Sequence, residues 1–195
     1  MSLAETKTTA KKKAAQKRAV TLKVSLRGSR PPIWRRLIVP GSATLADLHV
    51  AIQAAMGWED SHLHHFDVDG RHYGDRSILD EVADERRLTL NGLLNTAAQR
   101  FSYTYDFGDD WEHIITIEKV AYTDTAPSGP ICIAGKRACP PEDCGGIWGY
   151  YHLLEVLADP NHPEYKDQKE WVDDNFDPEA FDLGYANVTL GGHIS

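Results

Sequence analysis

The chain has 195 residues, 42% of them hydrophobic, and a formal net charge of −8. This length and apolar content suit one domain with a buried core. No apolar run approaches the roughly 20 residues that a membrane-spanning helix requires, so no membrane partner is expected. The N-terminus lacks the apolar segment of a secretory signal, and the expected location is the cytoplasm. The odd number of cysteines, three, argues against a closed disulfide framework and favours reduced thiols or metal ligands.

The charge changes sign along the chain. Residues 1–19 hold six basic side chains against one acidic side chain, whereas residues 101–195 hold five basic against eighteen acidic, a net charge of −13. Since residues 1–19 also lack apolar periodicity, they are predicted to form a disordered basic tail before a single domain at residues 20–195. The acidic half would repel a phosphate backbone, so any contact with nucleic acid is expected through the tail.

The first half of the domain predicts a sheet crossed by one helix. Period-2 alternation and flanking turn residues predict strands in four segments: 20–26, 33–39, 62–68 and 71–73. Between the second and third of these, Thr44 and Asp47 form a capping-box pattern, and apolar residues follow at helical spacing until Gly57. The order strand, strand, helix, strand, strand indicates an α+β fold with a β-grasp-like mixed sheet and one crossing helix.

The second half predicts a hairpin followed by helices. The two strands of this hairpin, joined by a tight Gly-Asp-Asp turn, are predicted at residues 101–107 and 111–120. A helix is predicted from Tyr150 onward, and another is predicted to start at Pro163, with Trp171 and Val172 as its buried residues. The C-terminal third of the chain is therefore predicted to be helical.

Residues 139–151 are the least ordinary stretch of the sequence. Two prolines stiffen the backbone, and two cysteines frame Glu142 and Asp143. Three glycines follow, which permit backbone conformations that other residues reach only with strain. Folding alone does not require this combination in a loop, so the stretch points to a functional site. An activated Cys144 nucleophile is disfavoured, because the adjacent carboxylates would oppose formation of a thiolate.

A second candidate site surrounds the Gly-Asp-Asp turn. Asp106, Asp109 and Asp110 place three carboxylates around it. Carboxylates bind hard cations such as Mg²⁺ and Mn²⁺, and such ions drive phosphoryl transfer. The alternative is that the Asp and Gly residues serve the turn alone. His113 is a candidate acid or base by its ordinary pKa, or else a histidine packed in the core beside Trp111.

The cysteines and histidines offer a third kind of centre. Cys132, Cys139 and Cys144, with a histidine as fourth ligand, would bind zinc, whereas the alternative is a set of small buried thiols. His62 and His64 would share one face of the predicted strand and could bind a metal together. The alternative for this pair is a half-exposed polar face.

The motifs also carry a resemblance to a known family. Five segments contribute to it in order: 30–36, 45–49, 57–63, 105–113 and 139–151. Together they resemble the plasmid pRiA4b ORF-3-like family, some members of which are labelled transposon passengers or resolvases. The resemblance implies an α+β fold and an association with plasmids or mobile elements, and it implies no catalytic residues. Because both candidate motifs belong to the resemblance, one shared site is favoured.

The sequence leads to one main function and two alternatives. The main one is a non-enzymatic accessory or interaction module of a mobile element, with a protein partner. The first alternative is a metal-dependent hydrolase that acts on phosphodiesters with Zn²⁺, Mg²⁺ or Mn²⁺ as cofactor, and the second is a DNA-associated regulator. The candidate metal ligands are Asp106, Asp109, Asp110, Cys132, Cys139 and Cys144, and the candidate catalytic residues are His113, Glu142 and Asp143.

Overall fold

The computed structural model describes residues 17–96, 98–123 and 127–192. Over these residues the chain forms eight strands: β1 Lys17–Leu26, β2 Trp34–Pro40, β3 His64–Val68, β4 Arg71–Gly74, β5 Ala83–Asp84, β6 Arg100–Tyr105, β7 Trp111–Thr123 and β8 Ile131–Lys136. It also forms five α-helices: α1 Leu45–Met56, α2 Leu90–Leu93, α3 Gly146–Ala158, α4 Tyr165–Trp171 and α5 Leu183–Gly192. A 3-10 turn, Glu85–Arg87, follows β5.

All eight strands belong to one mixed sheet, in the order β5-β4-β3-β6-β7-β1-β2-β8. The β4–β5 pair is parallel, and the other pairs are antiparallel. The predicted α+β class and mixed sheet are confirmed. The two predicted hairpins of the first half do not touch each other, because the β6–β7 hairpin lies between them and pairs with β3 on one side and β1 on the other.

The predicted crossing helix is α1, and its ends follow the sequence pattern. The Thr44 side chain accepts a hydrogen bond from the Asp47 backbone N–H, and the Asp47 carboxylate accepts one from the Thr44 N–H, which completes the capping box. Gly57 ends the helix in the left-handed region at φ 96°. The apolar face of α1 packs on the sheet, and Leu45, Leu48 and Ile52 are fully buried.

The ends of the chain differ from the predictions in detail. Strand β1 begins at Lys17, three residues before the predicted start, and pairs with β7 from there. Residues 1–16 of the predicted disordered tail lie outside the described residues. The helical C-terminal third is confirmed, but α3 begins at Gly146 instead of Tyr150. The prediction of a buried Trp171 was wrong: its side chain is 49% exposed, while Val172 is buried as predicted.

Helix α5 was not predicted, and it covers the edge of the sheet. Its Asn187 side chain accepts a hydrogen bond from the Cys132 backbone N–H at 2.9 Å and donates one to the Cys132 carbonyl oxygen at 2.8 Å. These bonds satisfy backbone groups on the edge strand β8 that would otherwise be open to another strand. Of the helices in the described ranges, none is long and apolar enough to cross a membrane.

Candidate functional site

Three loops meet at one end of the β6–β7 hairpin. They are the turn at residues 106–110, the loop at residues 137–145, here called the cysteine loop, and the α1–β3 loop at residues 57–63. The Gly145 backbone N–H donates to the Asp109 carboxylate at 3.1 Å. A Cβ added to Gly146 would lie only 2.3 Å from the Asp109 carbonyl oxygen, so the backbones are in direct contact there. The two sequence motifs therefore form one region.

Three metal-binding side chains converge in this region, one from each loop. His62 Nε2 lies 3.2 Å from Asp143 Oδ1 and 3.7 Å from Asp106 Oδ2. The side chains are 29% exposed for His62, 11% for Asp106 and 73% for Asp143, so solvent reaches the group from one side. The other oxygen of Asp106, Oδ1, accepts a hydrogen bond from the Gly108 N–H at 2.9 Å, which orients Oδ2 toward His62. We call this group the triad.

The His62–Asp143 distance of 3.2 Å falls within the edge lengths of a metal coordination polyhedron, and the His62–Asp106 distance of 3.7 Å is slightly longer. With ligands about 2.1 Å from an ion, adjacent ligand atoms lie roughly 3.0 Å apart in an octahedron and roughly 3.4 Å apart in a tetrahedron. The ligand atoms of His62, Asp106 and Asp143 all lie within 4.8 Å of one another. One imidazole nitrogen with two carboxylate oxygens suits Zn²⁺ or Mn²⁺ better than an all-oxygen ion such as Ca²⁺. Three protein ligands leave positions for water or substrate.

A second histidine–carboxylate cluster lies next to the triad but is built differently. The rings of His49 and His64 stack with centroids 3.5 Å apart and planes 7° from parallel. Asp60 Oδ1 lies 2.9 Å from His49 Nε2, and the buried Glu85 Oε2 lies 2.8 Å from His64 Nε2. The Tyr103 hydroxyl lies 2.8 Å from His49 Nδ1. We call this group the stacked pair.

The stacked pair is a poor metal centre although its ligand atoms are close together. An ion bound in the plane of one imidazole would lie roughly 3 Å or more out of the plane of the other, beyond the about 2.1 Å reach of an imidazole nitrogen. The ring nitrogens named above are also engaged by hydroxyl or carboxylate partners. Burial, and then the neighbouring His64, lower the pKa of His49 to about 3, so that its ring is neutral. The cluster is therefore a hydrogen-bond network of buried rings with the exposed Asp60 at its edge.

The predicted acidic residues of the two motifs separate into different roles. Asp106 and Asp143 join the triad. Asp109 instead accepts a hydrogen bond from the Gly145 N–H beside the start of α3, and Asp110 is an exposed turn residue at φ 55°. Glu142 lies beside the triad, where its Oε1 accepts hydrogen bonds from the Tyr105 hydroxyl at 2.8 Å and the Glu59 N–H at 3.0 Å.

His113 is fully buried, with 0% exposure, and lies in the core instead of the triad. Its Nδ1 lies 3.0 Å from the Trp111 carbonyl oxygen, and its ring meets the Trp58 ring edge-on at 5.2 Å. Burial lowers the pKa of His113 to about 4, so that its ring is neutral near pH 7. This environment is that of a packed core histidine and offers no route for protons to the triad.

The cysteines show no arrangement suited to zinc or to nucleophilic attack. Cys132 is buried on β8, and within the described ranges no cysteine belongs to a group of three metal-ligating side chains. Burial raises the pKa of Cys139 and Cys132, and burial together with Asp109 raises the pKa of Cys144 to about 12. All three thiols are therefore protonated near neutral pH in the metal-free protein, and a protonated thiol is a weak nucleophile.

The position of His62 was not predicted from the sequence. His62 and His64 were predicted to share one face of a strand, but β3 begins at His64, so His62 is a loop residue and points into a different cluster. No local pattern links His62 to Asp106 and Asp143, because the pairing of β3 with β6 brings them together. Glu85, which is buried against His64, was likewise not predicted, because it lies in a polar segment of the chain.

Fold and site together define an α+β protein with an accessible histidine–carboxylate triad where three loops meet. The sequence profile of the family described as plasmid pRiA4b ORF-3-like protein matches residues 18–185. The chain therefore belongs to this family.

Two relatives support the assignment. Uncharacterized protein y4hQ from Sinorhizobium fredii is 40% identical over 175 residues, which cover 88% of this chain and 90% of that protein. The crystal structure of a protein of unknown function, MM3350 from Methanosarcina mazei Go1, has a TM-score of 0.78 and 44% identity, and the match covers 86% of this chain and 96% of that chain. Neither description names an activity, so the comparisons carry the family and the fold.

Proposed function

We propose that the protein is a divalent-metal-dependent hydrolase whose ion is held by His62, Asp106 and Asp143. The observation that carries the proposal is the convergence of these three ligand atoms within 4.8 Å from three separate loops. Because solvent reaches the group, an ion held there keeps coordination positions for water and for a substrate oxygen. Phosphodiesters are the proposed substrates. The acidic half of the chain would repel their negative charge, and a bound cation would offset that repulsion.

His62, Asp106 and Asp143 would hold the ion, which would supply an activated water for attack on the phosphorus atom. One P–O bond forms and the bond to the leaving group breaks, while the proton lost by water ends on the leaving alcohol. Burial makes the thiols and His113 unsuited to move that proton. The exposed Asp143 and the adjacent Glu142 are the carboxylates available for it.

A cleft of about 640 Å³ reaches the triad at Asp143 and provides room for a substrate, while His62 lines a different cleft of about 580 Å³. Asp143 and Glu142 lie at the edge of the larger cleft, and Trp58, Arg35 and Phe181 form part of its wall. The Arg35 guanidinium is buried and stacks 4.1 Å from the Phe181 ring centroid. A volume of this size is within the range of small-molecule sites, roughly 300–1,000 Å³.

The test combines metal binding with hydrolysis. The wild-type protein is expected to bind Mn²⁺ or Zn²⁺ in calorimetry and to hydrolyse bis(p-nitrophenyl) phosphate only with that ion present. The His62→Ala variant should lose both properties. His152→Ala is the matched control, because His152 is also half-exposed and also has a carboxylate oxygen, that of Glu164, 3.1 Å from its Nε2. Binding without hydrolysis of any ester would reject the hydrolase and keep only the metal site.

A second candidate is the accessory or interaction module, and exposed apolar side chains on the C-terminal helices favour it. Trp148 is 82% exposed on α3, while Val188 and Tyr185 are 73% and 67% exposed on α5. Large exposed apolar groups mark protein contacts when they form a patch. If a second copy is the partner, sedimentation velocity will show self-association that weakens in Trp148→Ala. If the protein stays monomeric at every concentration, a second copy is excluded as the partner.

The family description names a plasmid, and this is the support for a link to plasmids or mobile elements. For the DNA-associated regulator, the basic residues before β1 are the proposed contact. Binding to duplex DNA should then fall steeply with salt and disappear when residues 1–16 are deleted. Equal binding by the deleted and full-length chains would exclude this role for the tail.

A further inference from the structure

One hydroxyl group links the three loops that carry the triad. The Tyr105 hydroxyl accepts a hydrogen bond from the Ser61 N–H at 2.9 Å and donates one to Glu142 Oε1 at 2.8 Å. Each residue of this link directly precedes a triad ligand in the chain: Ser61 precedes His62, Tyr105 precedes Asp106, and Glu142 precedes Asp143. A change in either hydrogen bond would therefore be transmitted over one residue to a ligand.

We propose that Tyr105 is a positioning residue that sets the spacing of His62, Asp106 and Asp143 for a divalent cation. The inference rests on the proposed metal site. Groups that orient ligands from outside the coordination sphere contribute to affinity because they hold the ligands in place before the ion binds. Tyr105 is suited to this, since it touches no ion itself and still reaches all three ligand-bearing loops.

The surroundings of Tyr105 hold it in one position. Its side chain has 0% exposure, and its ring packs 5.1 Å from the Trp58 ring and 5.8 Å from the His62 ring. Burial, and then the hydrogen bond to Glu142, raise the pKa of Tyr105 above its ordinary value. The hydroxyl therefore stays protonated near neutral pH and donates to Glu142 Oε1.

Two further bonds join the same loops without passing through Tyr105. The Trp58 indole N–H donates to the Pro140 carbonyl oxygen at 3.0 Å, and the Glu59 N–H donates to Glu142 Oε1 at 3.0 Å. Removing the Tyr105 hydroxyl should therefore leave the α1–β3 loop attached to the cysteine loop. The expected defect is a looser ligand spacing in a folded protein.

Tyr103 supplies a matched control from the same strand. It is also fully buried, and its hydroxyl also has two partners, His49 Nδ1 at 2.8 Å and Gln53 Nε2 at 2.9 Å. Neither partner is adjacent in sequence to a triad ligand. Tyr103→Phe and Tyr105→Phe thus remove the same atom and the same number of hydrogen bonds, and only the second removes the link between the triad loops.

The experiment measures Mn²⁺ affinity by calorimetry and the Mn²⁺ electron paramagnetic resonance spectrum in full-length protein. Tyr105→Phe should weaken Mn²⁺ binding by about 10- to 100-fold and broaden the spectrum, as outer-shell changes do. Tyr103→Phe should keep the wild-type spectrum and an affinity near wild type. Glu142→Gln, which keeps an acceptor for the Tyr105 hydroxyl, should retain more affinity than Glu142→Ala.

Two results would overturn the inference in distinguishable ways. If Tyr105→Phe and Tyr103→Phe bind Mn²⁺ equally well, the metal site stands and Tyr105 has no positioning role. If wild type and His62→Ala show the same absence of Mn²⁺ and Zn²⁺ binding, the proposed function fails and the inference fails with it. Melting temperatures of the two Tyr→Phe variants should fall by similar amounts, which separates positioning from general stability.

Discussion

The triad and the stacked pair are built from the same residue types and lie side by side. Residues 60–64 contribute to both, since Asp60 and His64 belong to the pair and His62 belongs to the triad. In the stacked pair the imidazoles face each other, and three of their nitrogens are engaged by the buried Tyr103 and Glu85 and by the exposed Asp60. In the triad the ligand atoms converge on one point that solvent reaches.

The difference shows that suitable residue types and short distances between ligand atoms are not sufficient for a metal centre. An ion needs lone pairs that converge in direction, and a nitrogen that already has a hydrogen-bond partner must give that bond up first. The stacked pair therefore contributes to folding, whereas in the triad an ion would replace the 3.2 Å contact between His62 Nε2 and Asp143 Oδ1.

Removal of a triad carboxylate should give the largest effect. Asp106→Ala deletes a ligand, so the affinity for Mn²⁺ or Zn²⁺ should fall by at least about 100-fold, equivalent to roughly 2.7 kcal/mol. Calorimetric titration measures the change. Glu85→Ala, which removes a carboxylate of the stacked pair, is the control and should bind the ion as wild type does. Loss of binding in Glu85→Ala alone would reverse the roles of the two clusters.

The buried imidazole of His113 should make folding depend on pH. Its pKa is lowered by burial to about 4 in the folded protein and rises to its ordinary value of 6.5 on unfolding. The unfolded chain therefore binds the proton first, and stability falls as pH drops from 6.5 to 4, by about 3 kcal/mol from this group. Urea unfolding at pH 7 and pH 4.5 measures the loss. His113→Gln should show about half of the wild-type loss, because His49, whose pKa burial also lowers, to about 3, contributes a similar part.

An unchanged pH dependence in His113→Gln would contradict the burial argument. His152→Ala, which removes a half-exposed histidine, should leave the pH dependence as in wild type. The same experiments in the presence of Mn²⁺ should show additional stability from ligand binding at pH 7.

Loss of the buried acid of the stacked pair should lower stability without affecting the ion. Glu85→Ala leaves His64 Nε2 without its partner in a site where the His64 side chain is 11% exposed. An unpaired buried polar group costs about 1–3 kcal/mol, so the free energy of unfolding should fall by about 2 kcal/mol. Chemical denaturation checks this. A neutral effect on stability would mean that the pair contributes nothing to folding.

The contact between the turn and the cysteine loop should give the smallest effect. Asp109→Ala removes the acceptor of the Gly145 N–H. The lost hydrogen bond should lower stability by about 1 kcal/mol. Because Asp143 lies two residues before Gly145, Mn²⁺ affinity should also fall a few-fold, in contrast to Glu85→Ala. Asp109→Asn keeps an acceptor and should lie between Asp109→Ala and wild type.

Local patterns were sufficient to predict much of the fold. The capping box at Thr44, the alternation in β1 and the turn between β6 and β7 are each encoded by a few neighbouring residues, and each was predicted correctly. Strand order was not predictable in this way, because the insertion of the β6–β7 hairpin between the other two hairpins depends on contacts far apart in sequence. Helix α5 was not predicted from the sequence. Its apolar residues Tyr185 and Val188 are exposed, so they do not mark a buried face.

The candidate site was predictable to a similar degree. Both motifs were identified from residue type, and Asp106 and Asp143 were among the predicted residues. His62 was missed as a partner because its place follows from the pairing of β3 with β6. Residue type suggested His113 and Cys139 equally, but burial decides whether a titratable group is available, and burial is a property of the assembled core.

Anomalous diffraction from crystals grown with Mn²⁺ or Zn²⁺ is the most direct test of a divalent cation at the triad. We expect one strong peak about 2.0–2.2 Å from His62 Nε2 and from an oxygen of Asp106 and of Asp143. A peak between His49 and His64, or a triad without a peak in crystals soaked at saturating ion concentration, would contradict this expectation.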